Sequence, residues 1–415
     1  MPDVKPVIAI DELMDELVTL AGITEGEPPV VTRVVFSEAD LRARAYVKRL
    51  CHAAGLTIRE DAIGNTFARW AGSESELPPV ATGSHIDAIP NAGAYDGTVG
   101  VLGGLEAIRA LQRAGFQPRR SIELVIFTAE EPTRFGIGCL GSRLMGGVLT
   151  PGEAAGLRDN DGLSLDELRR RAGFFGDLEP VLLPQGYYHA FVELHIEQGK
   201  LLERDAIDVG IVTHIAAPAS LRISIEGEGG HAGAMLMPDR RDALCAAAEI
   251  TLAIEQAAKS TGAIDTVATV GVCEVFPGAI NSVPSRVKLE VDVRDTDAAR
   301  RDGVLEAIQD VAHQLSARRQ LLIVTTPMNT DPPATSDSDI VKVIELAATA
   351  AGLTSQRMVS RAYHDSLFVA RFAPVAMIFI PCRNGVSHRP DEYSSPEWIK
   401  NGVEVLARTL ARLAG

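Results

Sequence analysis

The segment Ser121–Phe127, SIELVIF, is a short run of mostly large apolar residues. A run of that length and make-up reads as a strand covered on both faces, the kind found in parallel sheets. A helical pattern from Val99 to Ala114, ending at Gly115, precedes it, and before that comes the apolar run Val80–Gly83. Strand, helix and strand in that order define an α/β domain, whose sites form outside the carboxyl ends of the strands. The residues of this chain that can do chemistry fall at such ends: His85 and Asp87 follow one run, Glu130 and Glu131 the other.

The same style returns late in the chain. A helix is expected near 338–351, a strand at Val375–Ile380, and a last helix from Pro396 with Ser395 as its cap. Near the start, Ser37-Glu38-Ala39-Asp40 has the form of a capping box, opening a helix that stops at Gly55. The middle third differs. It reads as a strand at Leu221–Glu226, a helix of about 20 residues from Asp239, and strands at Thr266–Cys273 and Arg286–Arg294. A helix from Asp297 to Ala317 and a strand at Leu321–Thr325 complete it. That order, β-α-β-β-α-β, is the split-βαβ or ferredoxin-like signature. Residues 1–214 and 329–415 are therefore expected to form one α/β domain, with 215–328 inserted into it.

Composition narrows the function. With 40 Lys and Arg against 55 Asp and Glu in 415 residues, the net charge of −15 argues against a nucleic-acid partner. No charge-free run exceeds 13 residues, short of the roughly 20 a membrane helix needs. The first residues, MPDVKPVIAIDELMDEL, are acidic and lack a basic stretch leading into an apolar core, so a cytoplasmic protein with no membrane partner is expected. The five cysteines (Cys51, Cys139, Cys245, Cys273, Cys382) are scattered and never form C-x-x-C, which leaves any metal to histidine and carboxylate.

Those groups cluster. His85 and Asp87 stand two apart, so an extended chain projects them to one face. Asp96 lies in the glycine-rich NAGAYDGTVG, His195 in the strand-like ELHIEQG, and His388 in GVSHRPDE. Glu130 and Glu131 are neighbours, so extended backbone would point one toward a metal and leave the other for a proton. Singly, each residue has an ordinary structural explanation. Jointly, three histidines and three carboxylates at strand ends suit two ions bridged by a carboxylate, with Zn²⁺ and Mn²⁺ equally served. H-E-x-x-H, G-x-S-x-G and a Walker A loop do not occur.

The blocks TGSHIDAIPNAGAYDGTVGVLGGLEA, TAEEPTRFGIGCLGS, ELHIEQGKLLE, GGHAG, AINSVPS, DVRD and IPCRNGVSHRPDE resemble the metal-dependent amidases of the hydantoinase/carbamoylase type. These sit within a larger aminoacylase/carboxypeptidase group. The resemblance implies a dinuclear-metal, aminopeptidase-like catalytic domain and an inserted ferredoxin-like lid that also makes a homodimer. It implies that His85, Asp96, Glu131, His195 and His388 hold two divalent ions, Mn or Zn, with Asp96 bridging. Asp87 would orient the His85 ring, and Glu130 would be the general base. His231 of GGHAG would stabilise the oxyanion from the partner subunit, while Asn281 and Arg294 would bind the substrate's amide and carboxylate.

Gln198, three residues past His195, is expected either to touch the ureido group or to make an ordinary loop contact. Where the family usually shows G-A-G-H-D, this chain has Arg361-Ala362-Tyr363-His364-Asp365. Tyr363 in place of glycine would shrink the pocket, and His364 joins it as an expected substrate contact. A very small ureido acid is therefore the first expectation, with an N-carbamoyl-L-amino acid or allantoate as the alternative substrate. An aminoacylase or dipeptidase would keep the same ligands, and a binding protein on this fold would keep the fold without turnover.

Overall fold

The computed structural model describes residues 4–415. These divide into two units: one of residues up to Thr213 with Thr335–Ser360 and His364–Gly415, the other of His214–Ala334 with Arg361–Tyr363.

In the first unit, four strands run parallel in the order Val375–Ile380, Ala190–Ile196, Val80–His85 and Ile122–Phe127. Every residue of the four is buried, as expected of a sheet covered on both faces. Antiparallel strands extend both edges: Thr66–Trp70 and then Thr57–Glu60 on one side, Val209–Ile215 on the other. Side chains alternate between faces, so Leu124, Ile126, Leu194 and Ile378 pack with Leu102, Leu105 and Leu406 of the helices Thr98–Arg113 and Pro396–Ala414. Val125, Phe127 and Phe191 take the opposite face, against Leu140, Leu144 and Leu165. The result is the α/β arrangement expected from the strand and helix order, with helices on both faces of the sheet. Ser395 caps the last helix, accepting the Trp398 N–H at 3.2 Å.

The second unit is a four-stranded antiparallel sheet in the order Val267–Phe276, Arg286–Asp295, Ala217–Glu226 and Leu322–Thr330. The helices Ala243–Ser260 and Ala298–Arg319 share one core with Leu221, Ile223, Leu289, Val291 and Val293. Chain order is β-α-β-β-α-β, as the sequence pattern indicates.

Three local readings need correction. Asp40 does not return the capping-box bond to Ser37; its carboxylate accepts the Phe36 N–H at 2.8 Å and pairs with buried Arg44. The helix expected from Asp239 begins at Ala243, because Asp242 caps it through the Leu244 and Cys245 N–H groups. The strand expected to end at Thr325 runs to Thr330 through Pro327, which an edge strand tolerates because no ladder bond is lost on its open side. The chain accordingly returns to the first unit after Ala334, not at 328.

Candidate active site

All four parallel strands aim their carboxyl ends at one edge, and the strand ends with the loops that follow carry the predicted ligands. His85 is the last residue of its strand, and its Nδ1 lies 3.0 Å from the Asp87 carbonyl. A carbonyl can only accept, so Nδ1 holds a proton there and Nε2 is the nitrogen that faces inward. His195 repeats the device, with Nδ1 2.9 Å from the Ile196 carbonyl. Between them stands Asp96. Its Oδ1 lies 3.4 Å from His85 Nε2 and 3.2 Å from His195 Nε2. Its Oδ2 lies 3.3 Å from His388 Nε2, which in turn is 3.3 Å from Glu131 Oε1. Two clusters with metal-ligand geometry thus share one carboxylate: His85, Asp96 and His195, and Asp96, Glu131 and His388. Gly97 makes this approach possible. It adopts φ 64°, and a Cβ there would come within 2.4 Å of His85 Nε2.

The electrostatics call for cations. Burial pushes Glu130 well up and Glu131 up to about 7, reinforced for Glu130 by Glu131, Asp365 and Asp96 and for Glu131 by Asp96. Burial acts the same way on Asp365, raised to about 8 with Glu193 adding to it. Burial opposes the charged form of Asp96 too, but hydrogen bonds from His195, His388 and His85 hold its carboxyl well below the usual range. His85 is raised well above its ordinary value, Glu130, Asp96 and Asp87 outweighing burial, and His388 is raised to about 9, mainly by Asp96. A largely buried site this rich in carboxylate, with imidazole Nε2 atoms turned toward it, has the donor set of hard and borderline divalent ions. The residues fit such ions.

Asp87 does its work differently from expectation. The His85 ring is held by the Asp87 carbonyl, and the carboxylate, with Oδ1 3.7 Å from Nδ1, points elsewhere. Its two oxygens accept the backbone N–H groups of Glu130 at 3.2 Å and Glu131 at 3.1 Å. The paired glutamates also do not sit on extended strand. Ala129 turns the chain at φ 55°, and the two side chains separate from there. Glu131 reaches His388, while Glu130 Oε2 lies 3.8 Å from His85 Nε2 and its Oε1 accepts the Cys139 thiol at 3.4 Å.

Gln198, at φ 55°, donates Nε2 to Asp96 Oδ2 at 2.7 Å, so it meets the shared carboxylate. Its Oε1 is buried without a hydrogen-bond partner. His364 is buried 4.5 Å from the His195 ring, with Nε2 3.0 Å from Ser360 Oγ. Sequence reasoning passed over Glu193, Asp365, Ser387 and Glu392, each within three or four residues of a quoted histidine or aspartate. Glu193 accepts Ser84 and Ser366, and Asp365 accepts Ser142 at 2.5 Å. The stretch GIGCLG at 136–141 has the glycine spacing of a dinucleotide fingerprint, but it opens only the six-residue helix Leu140–Met145.

The remaining predicted residues belong to the second unit. His231 and Asn281 are both exposed on adjoining segments, the Ala232 N–H donating to the Asn281 carbonyl at 2.8 Å. The Gly233 N–H donates to His231 Nδ1 at 3.1 Å, so the ring proton sits on Nε2, free to donate. Arg294 lines an open cavity of about 610 Å³ on the sheet face away from the helices, with Ser220, Thr269, Asp292 and Met328. Its guanidinium is already forked onto Asp292, at 2.8–3.1 Å, and lies 5.5 Å from the Tyr363 ring centre. Tyr363 therefore presents its ring to Arg294.

The model of peptidase family M20/M25/M40 matches residues 81–412. A ureidoglycolate hydrolase from Arabidopsis thaliana is 53% identical over 409 residues, 97% of this chain and 86% of the relative. The solved structure of AtUAH in complex with glyoxylate is 51% identical, covers 99% of both chains and superposes with a TM-score of 0.91. An amidase of the hydantoinase/carbamoylase family from Burkholderia multivorans is 34% identical, with a TM-score of 0.88 over 100% of this chain and 99% of that one. The chain belongs to the M20/M25/M40 family and, within it, to the hydantoinase/carbamoylase amidases, as the sequence blocks indicated. No helix among the described residues is long and apolar enough to cross a membrane.

Proposed function

We propose that this chain is an amidohydrolase using two divalent ions, Mn or Zn, to cleave the ureido C–N bond of ureidoglycolate. The observation that carries the reading is the shared Asp96 carboxylate, each oxygen within 3.4 Å of an imidazole Nε2 from a separate segment of the chain. His85, His195 and Asp96 would hold one ion, and Asp96, Glu131 and His388 the other. The ions would polarise the ureido carbonyl and acidify the attacking water.

Glu130 takes the proton from that water, and a carboxyl raised by burial is suited to accept and then release it. Asp87 keeps Glu130 and Glu131 in register through their N–H groups. Glu130 then returns the proton to the leaving nitrogen. His231, presented by a second copy of the chain in a homodimer, donates its Nε2–H to the oxyanion. Arg294, steadied by Asp292 and Tyr363, receives the substrate carboxylate, Asn281 its amide, and the unpartnered Gln198 Oε1 a ureido N–H. His364 backs His195. The net reaction takes ureidoglycolate and one water to glyoxylate, two ammonia and CO₂. A cytoplasmic enzyme is in keeping with its five free cysteines.

The test is ammonia release from ureidoglycolate, allantoate and N-carbamoyl-L-amino acids by protein stripped of metal and resupplied with Mn²⁺. Preference for ureidoglycolate is expected. Preference for an N-carbamoyl amino acid would overturn the substrate and leave the centre intact; turnover of dipeptides alone would move the chain to the peptidases of its family.

A further inference from the structure

Glu392 lies on the same loop as His388 but has no place in the chemistry above. It is buried, 5% exposed, and every polar atom of its side chain faces the ligand loops. Oε1 accepts two main-chain donors of the Asp96 loop, the Tyr95 N–H at 2.7 Å and the Asp96 N–H at 3.0 Å. Oε2 lies 2.9 Å from Ser387 Oγ, which is itself 2.7 Å from Asp96 Oδ2. The Glu392 carboxylate thus joins both the backbone of Asp96 and, through the residue preceding His388, the Asp96 side chain. An independent feature marks the same contact. A Cβ on Gly93 would fall 2.3 Å from Glu392 Cβ and 2.6 Å from Oε1. Gly93 is thus a glycine for space: the chain passes too close to Glu392 for any side chain.

Two loops 296 residues apart in sequence are pinned by this one carboxyl group. Asp96 sits among three imidazoles, and its oxygens keep their positions only if its main chain does. His388 is exposed and hangs on a loop without regular structure, so it has the least support of the three histidines. We propose that Glu392 is a positioning residue that locks the Asp96 main chain to the His388 loop, and so fixes the ion shared by Asp96, Glu131 and His388. The inference rests on the two-ion reading. Glu392 touches no substrate.

The test compares Glu392→Ala, Glu392→Gln and Gly93→Ala with the wild type. Bound Mn²⁺ is counted by elemental analysis, and affinities are measured by competition with a chromophoric chelator. Wild type should bind two ions. Glu392→Ala should keep one with near-normal affinity and hold the second ~10- to 100-fold more weakly, the usual cost of losing a group that supports a ligand. Glu392→Gln should bind both ions within about threefold of wild type, because its Oε1 still accepts the two N–H groups and its amide can donate to Ser387. Gly93→Ala should mimic Glu392→Ala. If Glu392→Ala does not give a native circular-dichroism spectrum and melt, the Gln and Gly93 variants decide alone.

Two ions of wild-type affinity in Glu392→Ala, equal weakening of both, or a Gln variant as weak as Ala would each overturn the proposal. Wild-type protein that binds no ion would instead refute the two-ion reading, and the proposal with it.

Discussion

The two units present their polar side chains in opposite ways. In the first, the expected ligand residues other than His388 are buried, and those are held by contacts made within the chain. His85 and His195 are oriented by carbonyls, Glu130 and Glu131 by Asp87, and Asp96 by Glu392 and Gln198. In the second, His231 and Asn281 face solvent, and Arg294 is half-buried on an open sheet face. The difference follows from cost. Several carboxylates brought together in a dry site repel one another and lose hydration, so the fold must hold them rigidly, and ions complete the balance. Donors exposed to solvent carry no such cost.

If this contrast is right, substitutions in the first unit should abolish chemistry, and those in the second should alter recognition. Asp96→Ala should be the most damaging, reducing bound metal and bringing turnover to background; elemental analysis beside ammonia release checks it. Full occupancy in that variant would break the contrast. Glu130→Gln should keep both ions yet lose on the order of 10²–10⁴ in kcat, the range general-base catalysis supplies. Single-turnover measurements on metal-loaded protein would expose near-normal chemistry if Glu130 is not the base. Arg294→Lys removes the planar fork, and should raise KM about tenfold or more with a smaller change in kcat. A pure kcat loss would place Arg294 in the chemistry and blur the division.

The smallest effect concerns thiols. Burial pushes Cys51 and Cys382 up to about 12 and Cys139 well above its ordinary value, whereas Cys245 and Cys273 of the second unit are exposed. A thiol reagent at pH 8 should titrate two cysteines in native protein and five after denaturation. Fewer than two would show that the second unit is covered in solution, sharpening the case for a dimer through it.

Much of this arrangement is legible in the sequence because it rests on periodicity and caps. The apolar run Val375–Ile380 and the Ser395–Pro396 pair declare their elements without tertiary help. The clustering of the expected ligands is legible because strands that end at one edge bring their last and following residues together. What escaped depends on pairings that spacing cannot show. Glu392 reads as an ordinary acidic residue after Pro390 until the Asp96 N–H is seen to point at it. The role of Asp87 turned on whether its carbonyl or its carboxylate meets His85, a choice set by the loop after the strand. Asp292 and Arg294 stand two apart on one strand face, so alternation alone is enough to pair them.

The central claim is that residues already assembled in one unit hold two ions and that hydrolysis depends on both. It is tested most directly by adding Mn²⁺ stepwise to stripped protein while following ammonia release from ureidoglycolate and bound metal together. Activity should be absent without metal and should saturate at two ions per chain. Full turnover under chelation, or none with two ions bound, would contradict it.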